Sequence, residues 1–200
     1  MKLFYAGTSP YARKVRILLI EKDLEDRVEL VFANPFEASA ELAAANPLGK
    51  VPALVRDDGD VLYDSPVICG YLDSLNETPR LIPAGSSGRW TILRREALSD
   101  GIIDAAFAMV MEDRRPEAER SASWLERWTG GILRSAAAVE DEIETYGETL
   151  TLGHIGLGAA LGYLDFRLPE IDWRAGHPKI EAWFAAFSQR PSMTGTDPAS

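Results

Sequence analysis

Short apolar runs alternate with amphipathic stretches along the first eighty residues. Such runs predict four strands, at residues 2–5, 28–32, 51–55 and 61–63. Apolar residues at helical spacing predict three helices: two between strands, at 10–22 and 38–45, and one after the last strand, at 67–75. Asp58-Gly59 between the last two strands is typical of a hairpin turn. The order β-α-β-α-β-β-α therefore predicts a mixed sheet with helices on its faces.

The pattern changes after residue 76, where residues 77–88 are rich in Pro, Gly and Ser and predict a linker. The remaining chain has helical character, with predicted helices at 89–113, 116–146, 152–168 and 178–189. The sequence thus predicts a mixed α/β domain over residues 1–76 and an all-helical domain over residues 89–200.

Composition narrows the possible functions. The 21 basic and 31 acidic residues give a net charge of −10, which disfavours nucleic-acid and membrane partners. Cys69 is the single cysteine, and His154 and His177 are the two histidines, so neither a disulfide nor a metal site is expected. The first residues lack the apolar stretch of a signal peptide, and no apolar run reaches 18 residues. We expect a soluble, cytoplasmic protein.

Ser9 is the first candidate for chemistry, because it lies where the first strand meets the first helix. Its hydroxyl can cap the helix, whose first turn then contains Pro10. It can also donate a hydrogen bond to a bound thiolate, since the N-terminus of a helix favours an anion. Thr8 is the neighbouring alternative, and Tyr5 is a weaker one.

Two further segments carry candidate site residues. Val51-Pro52 begins the third strand, at a position that proline tolerates because it does not donate to a sheet. Asp64-Ser65 begins the third helix, where it can cap the helix or hold a carboxylate group.

In this order and spacing, strand–TSP–helix, NPLGKVP and YDSP resemble the glutathione transferase family. The likeness covers nearly the whole chain and includes Ala182-Trp183-Phe184 and Arg190-Pro191-Ser192. It implies a thioredoxin-like N-terminal domain, an all-helical C-terminal domain and a homodimer. It also implies that Ser9 is the catalytic residue, which activates the thiol of the co-substrate glutathione.

The resemblance also implies how the tripeptide is held. The bond before Pro52 is expected to be cis, with the backbone of Val51 pairing with the cysteinyl backbone of glutathione. Asp64 and Ser65 are expected to hold the γ-glutamyl end, and Lys50 is placed to approach the glycyl carboxylate.

The helical domain is expected to supply the pocket for an apolar electrophile, with Tyr11 added from the first domain. The predicted pocket residues are Tyr11, Phe107, Met109 and Met111. Thr151 begins a predicted helix with His154 three residues later, where relatives carry an aspartate. We expect that His154 cannot return the reciprocal bond that a carboxylate would make.

The leading prediction is a detoxifying transferase that conjugates glutathione to a small hydrophobic electrophile. One alternative is a binding or regulatory protein on the same scaffold, without turnover. Another is a glutathione-dependent isomerase of a small unsaturated acid, for which Thr8-Ser9 supplies paired hydroxyls. Such an acid requires cations in the pocket, and Arg13, Arg94 and Arg114 are the candidates.

Overall fold

The computed structural model describes residues 1–37, 39–85 and 87–199, and it divides the chain into two compact units. Residues 1–92 and 191–200 form one unit, and residues 93–190 form the other. Ala38, where the second helix was predicted to begin, lies outside the described residues, as do Ser86 and Ser200.

The first unit contains a four-stranded mixed sheet, as predicted. The strands are β1 (Lys2–Tyr5), β2 (Glu29–Phe32), β3 (Ala53–Val55) and β4 (Val61–Leu62), in the order β2-β1-β3-β4. β1 runs parallel to β2 and antiparallel to β3, and β4 runs antiparallel to β3. The register pairs Phe4 with Ala53, so the end of β1 lies beside the start of β3.

The helices of this unit are α1 (Pro10–Glu21), α2 (Ala40–Ala45) and α3 (Ser65–Ser74). Phe4, Val51 and Ala53 form a buried apolar cluster with Leu42 of α2. α1 packs against α3, and Lys22 at the end of α1 is fully buried. The buried ammonium group of Lys22 has a partner, since it donates to Asp73 of α3.

The second unit is helical, and its main helices are α4 (Ser87–Asp113, which begins in the first unit), α5 (Ala122–Glu142), α6 (Leu152–Arg167) and α7 (Pro178–Phe187). The prediction of one continuous helix over 116–146 was wrong. A short 3-10 turn at Glu117–Glu119 precedes α5, which begins after Ser121, an extended residue whose hydroxyl accepts from Trp124 N at 3.4 Å. Ile143–Tyr146 then form a second 3-10 turn.

The N-terminus of α6 corrects the expectation for His154. Its Nδ1 accepts a hydrogen bond from the backbone N–H of Thr151 at 3.2 Å, which is the bond that a carboxylate makes in a capping box. Its Nε2 lies 3.2 Å from Gly147 O and donates to that carbonyl, because Nδ1 acts as the acceptor. A neutral imidazole therefore replaces the carboxylate at this cap.

Residues 191–200 do not belong to the unit in which the predicted domain division placed them. The short helix α8 (Pro191–Thr194) packs against α1 and belongs to the first unit, whereas the prediction grouped residues 89–200 together. Polar contacts hold this segment against α1. Met193 O and Gly195 O accept from side chains of α1, and Ser192 donates to Glu21. Across the described part of the chain, no helix combines the length and the apolar character needed to cross a membrane.

Candidate functional site

The candidate residues of the first unit meet at one edge of the sheet. β1 and β4 end at this edge, and β3 begins there, because β3 runs antiparallel to both neighbours. Ser9 follows β1, Val51-Pro52 precede β3, and Asp64-Ser65 follow β4. The topology therefore brings together three segments that are separate in the sequence.

Ser9 is positioned by a tight turn between β1 and α1. Its backbone N–H donates to Ala6 O at 3.0 Å, and its carbonyl accepts from Arg13 N at 2.9 Å, which closes the first turn of the helix. Its Oγ accepts from Ala12 N at 3.3 Å, so Ser9 does cap α1 as predicted. This bond does not use the hydroxyl proton, which stays available to a ligand. Capping and thiolate binding are thus compatible at Ser9.

The segment before β3 is shaped by Asn46. Asn46 is buried; its Nδ2 donates to Lys50 O at 2.8 Å, and its Oδ1 accepts from Leu48 N at 3.0 Å. The peptide bond between Val51 and Pro52 is cis, as expected. The Asn-Pro-Leu-Gly sequence is typical of such a side-chain-braced turn and was the available evidence for this role.

Asp64 and Ser65 lie at the N-terminus of α3. Asp64 has an exposed side chain, and in the part of the chain that is described its carboxylate makes no capping bond. The carboxylate thus faces solvent and can meet a cation such as an amino group. Ser65 is almost completely buried, and its backbone N–H belongs to the first turn of α3, where N–H groups lack helical partners.

Together these features suit an extended, negatively charged peptide. Two helix N-termini, those of α1 and α3, begin at this edge and favour anionic groups. Lys50 is exposed beside the start of β3 and adds a cation. Among the described residues, no group of three or more His, Cys, Asp or Glu side chains is placed to hold a metal ion.

The predicted pocket residues are divided between the two units. Tyr11 belongs to α1, whereas Phe107, Met109 and Met111 belong to α4. Phe107 and Met111 are partly exposed and lie on one face of α4, because residues four apart share a helix face. Met109 lies about 200° around the helix from Phe107. It is nearly buried and accepts a weak hydrogen bond from Thr129 Oγ1, with a separation of 3.8 Å.

The cations considered for an acidic substrate have other partners. Arg13 Nη2 donates to Met193 O at 3.1 Å within the first unit, and burial lowers the pKa of Arg13. Arg94 Nη2 lies 2.5 Å from Glu142 Oε2 within the second unit, and this bond raises the pKa of Arg94. Both side chains therefore make structural contacts, which weakens their candidacy as ligands of a diacid.

Comparison with family models matches two segments of the chain. Residues 8–75 match the model described as "Glutathione S-transferase, N-terminal domain". Residues 122–186 match the model described as "Glutathione S-transferase, C-terminal domain". The first match includes every residue proposed above to hold a ligand at the sheet edge.

Individual relatives agree with these matches. The uncharacterized GST-like protein YibF of Escherichia coli is 35% identical over 201 residues, which cover 99% of this chain and 98% of that protein. A maleylacetoacetate isomerase of Pseudomonas aeruginosa is 31% identical over 74% of this chain and 71% of its own. A solved glutathione transferase family member from Pseudomonas fluorescens Pf-5, with bound glutathione, has a TM-score of 0.94 and 42% identity, with 98% of each chain covered.

Proposed function

Since this chain belongs to the glutathione S-transferase family, we propose that it binds glutathione at the sheet edge of the first unit and activates its thiol through Ser9. The observation that carries the proposal is the double role available to the Ser9 hydroxyl. Its oxygen accepts from Ala12 N, which fixes the hydroxyl at the start of α1, while its proton is left to be donated. A relative with 42% identity holds glutathione in its structure, which supports the same ligand here.

Activation follows from the electrostatics of the helix start. A free thiol has a pKa of about 8.5 and is mostly protonated at neutral pH. A hydrogen bond from Ser9 and the N-terminal end of the α1 dipole both stabilise the thiolate more than the thiol, so they lower the pKa of the bound thiol. The larger thiolate fraction then attacks the electrophile.

The remainder of glutathione is held by groups of complementary chemistry. In this proposal the backbone of Val51, before Pro52, pairs with the cysteinyl backbone of the tripeptide. The Asp64 carboxylate receives the α-amino group, and the first-turn N–H of Ser65 faces the α-carboxylate. Lys50 approaches the glycyl carboxylate from the exposed side of the turn.

We further propose that the electrophile is small and apolar and that Tyr11, Phe107 and Met111 contact it. Met109 contributes to the packing between α4 and α5 instead, because its side chain is nearly buried near Thr129. We also propose that the protein acts in the cytoplasm as a homodimer and that it serves in detoxification. The glutathione site lies wholly within the predicted domain over residues 1–76.

A glutathione-dependent isomerase is the second candidate. It is favoured by the 31% identity to a maleylacetoacetate isomerase and by the adjacent hydroxyls of Thr8 and Ser9. The structural partners of Arg13 and Arg94 count against it, because an unsaturated diacid needs cations that are available to its carboxylates. We therefore place conjugation first.

The test is a calorimetric titration with glutathione, followed by the ultraviolet absorbance of the bound thiolate as a function of pH. We expect saturable binding and a bound thiol whose pKa lies well below about 8.5. S-methylglutathione is the control, since it can occupy the site but has no thiol to titrate. Binding with an unshifted pKa would favour a regulatory protein, and absence of binding would refute the assignment of the site.

A further inference from the structure

Arg13 connects the turn that carries Ser9 with the last residues of the chain. It lies four residues after Ser9 on α1 and is 7% exposed. Its backbone N–H donates to Ser9 O at 2.9 Å. Its guanidinium donates from Nη2 to Met193 O at 3.1 Å and from Nε to Thr196 Oγ1 at 3.4 Å. One residue thus bonds to the helix start and to a segment 180 positions away.

The acceptors of this guanidinium are themselves held in place. Met193 and Thr196 are 2% and 1% exposed, and the Thr196 hydroxyl donates to Ser192 O at 2.7 Å. Burial lowers the pKa of Arg13, and the nearby negative charge of Asp197 opposes that effect. A buried cation that lost such partners would be strongly destabilising, so the contact restrains both segments.

Two other contacts between α1 and the C-terminal residues begin farther along the helix. Arg16 Nη2 lies 3.4 Å from Gly195 O, and Ser192 Oγ lies 2.5 Å from Glu21 Oε1. They hold the middle and the end of α1. Arg13 differs because its own N–H bonds to Ser9 O, within the turn that presents the reacting hydroxyl.

We propose that Arg13 is a positioning residue of the thiol site, which holds the first turn of α1 against Met193 and Thr196 so that the Ser9 hydroxyl stays aligned with a bound thiolate. The inference rests on the proposed function, because Arg13 acts through Ser9. Alignment matters because a displacement of about 1 Å in a reacting group can cost about a hundredfold in rate. The last ten residues thereby contribute to the glutathione site without contacting glutathione.

The experiment compares Arg13→Gln, Arg13→Lys and the matched control Arg16→Gln in the full-length protein. For each variant the pKa of bound glutathione is measured, together with kcat and KM for conjugation of a dinitrophenyl halide. We expect Arg13→Gln to raise the thiol pKa toward about 8.5 and to lower kcat about tenfold at neutral pH, with a small change in KM for glutathione. Arg13→Lys should recover part of the loss, and Arg16→Gln should retain the wild-type thiol pKa.

A purely structural role would lower the melting temperature of both Gln variants and leave the thiol pKa unchanged, and that result would overturn the proposal. If Arg13→Gln does not fold, Thr196→Val removes the acceptor of Arg13 Nε in a nearly isosteric way, and it should raise the thiol pKa by a smaller amount. An unchanged pKa in Thr196→Val would then overturn the proposal. The proposed function fails separately, if the wild-type protein itself leaves the glutathione thiol unshifted.

Discussion

Lys22 Nζ lies 2.7 Å from Asp73 Oδ1, and both side chains are almost completely buried. The same ammonium group donates to Asp73 O and Pro79 O at 2.9 and 2.6 Å, while Asp73 accepts from the backbone N–H groups of Leu81 and Ile82. One buried ion pair thus joins the end of α1, the end of α3 and the segment that leads to α4.

Lys22→Met should destabilise the protein by about 3–5 kcal/mol, because it leaves the Asp73 carboxylate buried without its cation. Lys179→Met is the matched control, since Lys179 Nζ lies at the same 2.7 Å from Glu144 Oε2 but both side chains are exposed. Its effect should be small because solvent screens the exposed pair. Urea unfolding of both variants gives the loss in free energy of unfolding. Equal losses in the two variants would contradict the claim that burial makes the Lys22–Asp73 pair the stronger one.

Ser9→Ala should lower kcat/KM for conjugation by about a hundredfold, since it removes the hydrogen-bond donor to the glutathione thiolate. Glutathione affinity should change little, because the other contacts are retained. Helix α1 also loses its cap to Ala12 N, at a cost of about 1 kcal/mol. Ser9→Thr keeps the hydroxyl and should retain much of the activity. A large loss in Thr8→Val with none in Ser9→Ala would transfer the role to Thr8.

Asp64→Asn should weaken glutathione binding about tenfold, as it removes a charge-assisted bond to the amino group of the γ-glutamyl end. Asp58→Asn is the control, because Asp58 is an exposed acid in the turn between β3 and β4 whose carboxylate pairs with Arg56. Calorimetry should show unchanged affinity for that variant. Equal weakening in both variants would indicate a general effect of net charge.

The free energy of unfolding should fall as the pH drops below about 6.5. Burial lowers the pKa of His154, Arg95 and Arg190 oppose its protonation, and the bond to Gly147 O partly offsets these effects. The unfolded chain therefore binds a proton at a pH where the folded protein does not, which favours unfolding. The loss begins near the ordinary value of 6.5 and ends once the folded protein also becomes protonated.

The control for this pH dependence is His154→Gln, which keeps an acceptor for Thr151 N–H and does not titrate in this range. Urea unfolding at several values between about pH 5 and pH 8 should show a smaller slope for this variant than for the wild type. If the free energy of unfolding has the same pH dependence in both proteins, His154 is not the source of that dependence.

Gly156→Ala should destabilise the second unit by about 1–3 kcal/mol through overpacking. A Cβ at this position would lie 3.1 Å from Ser99 Cβ, where α6 packs against α4. Gly101→Ala on α4 is the control, because no heavy atom lies within 4 Å of its added Cβ. It should stabilise the helix by about 0.5–1 kcal/mol. Thermal unfolding of the two variants should therefore shift in opposite directions.

Much of the first unit could be predicted from local sequence. Short apolar runs and helical patterns placed β1, β2, α1 and α3 within a few residues, and Ser9 was correctly predicted as a cap. Ser9, Pro52 and Asp64 lie at one sheet edge because of the strand directions. β3 is antiparallel to β1 and β4, so it begins where both of those strands end. These features depend on near neighbours in the sequence or on simple topology.

The features that were missed depend on distant residues or unusual chemistry. The contact of Arg13 with Met193 joins positions 180 residues apart, and no local pattern reports it. His154 was expected to lack the reciprocal bond of the capping box, whereas its neutral form supplies an acceptor at Nδ1. The break before α5 was missed because residues 117–120 have good helical propensity. Arg120 donates to Asp113 O and Arg115 O in the observed turn, and propensity does not describe such side-chain contacts.

The return of residues 191–200 to the first unit has a consequence for biosynthesis. A ribosome makes residues 1–92 first, and an N-terminal domain usually folds as it emerges. Here that unit stays incomplete until Pro191–Thr194 have been translated, because α8 reaches α1 only then. The nascent chain must therefore carry an unfinished first unit throughout the synthesis of residues 93–190.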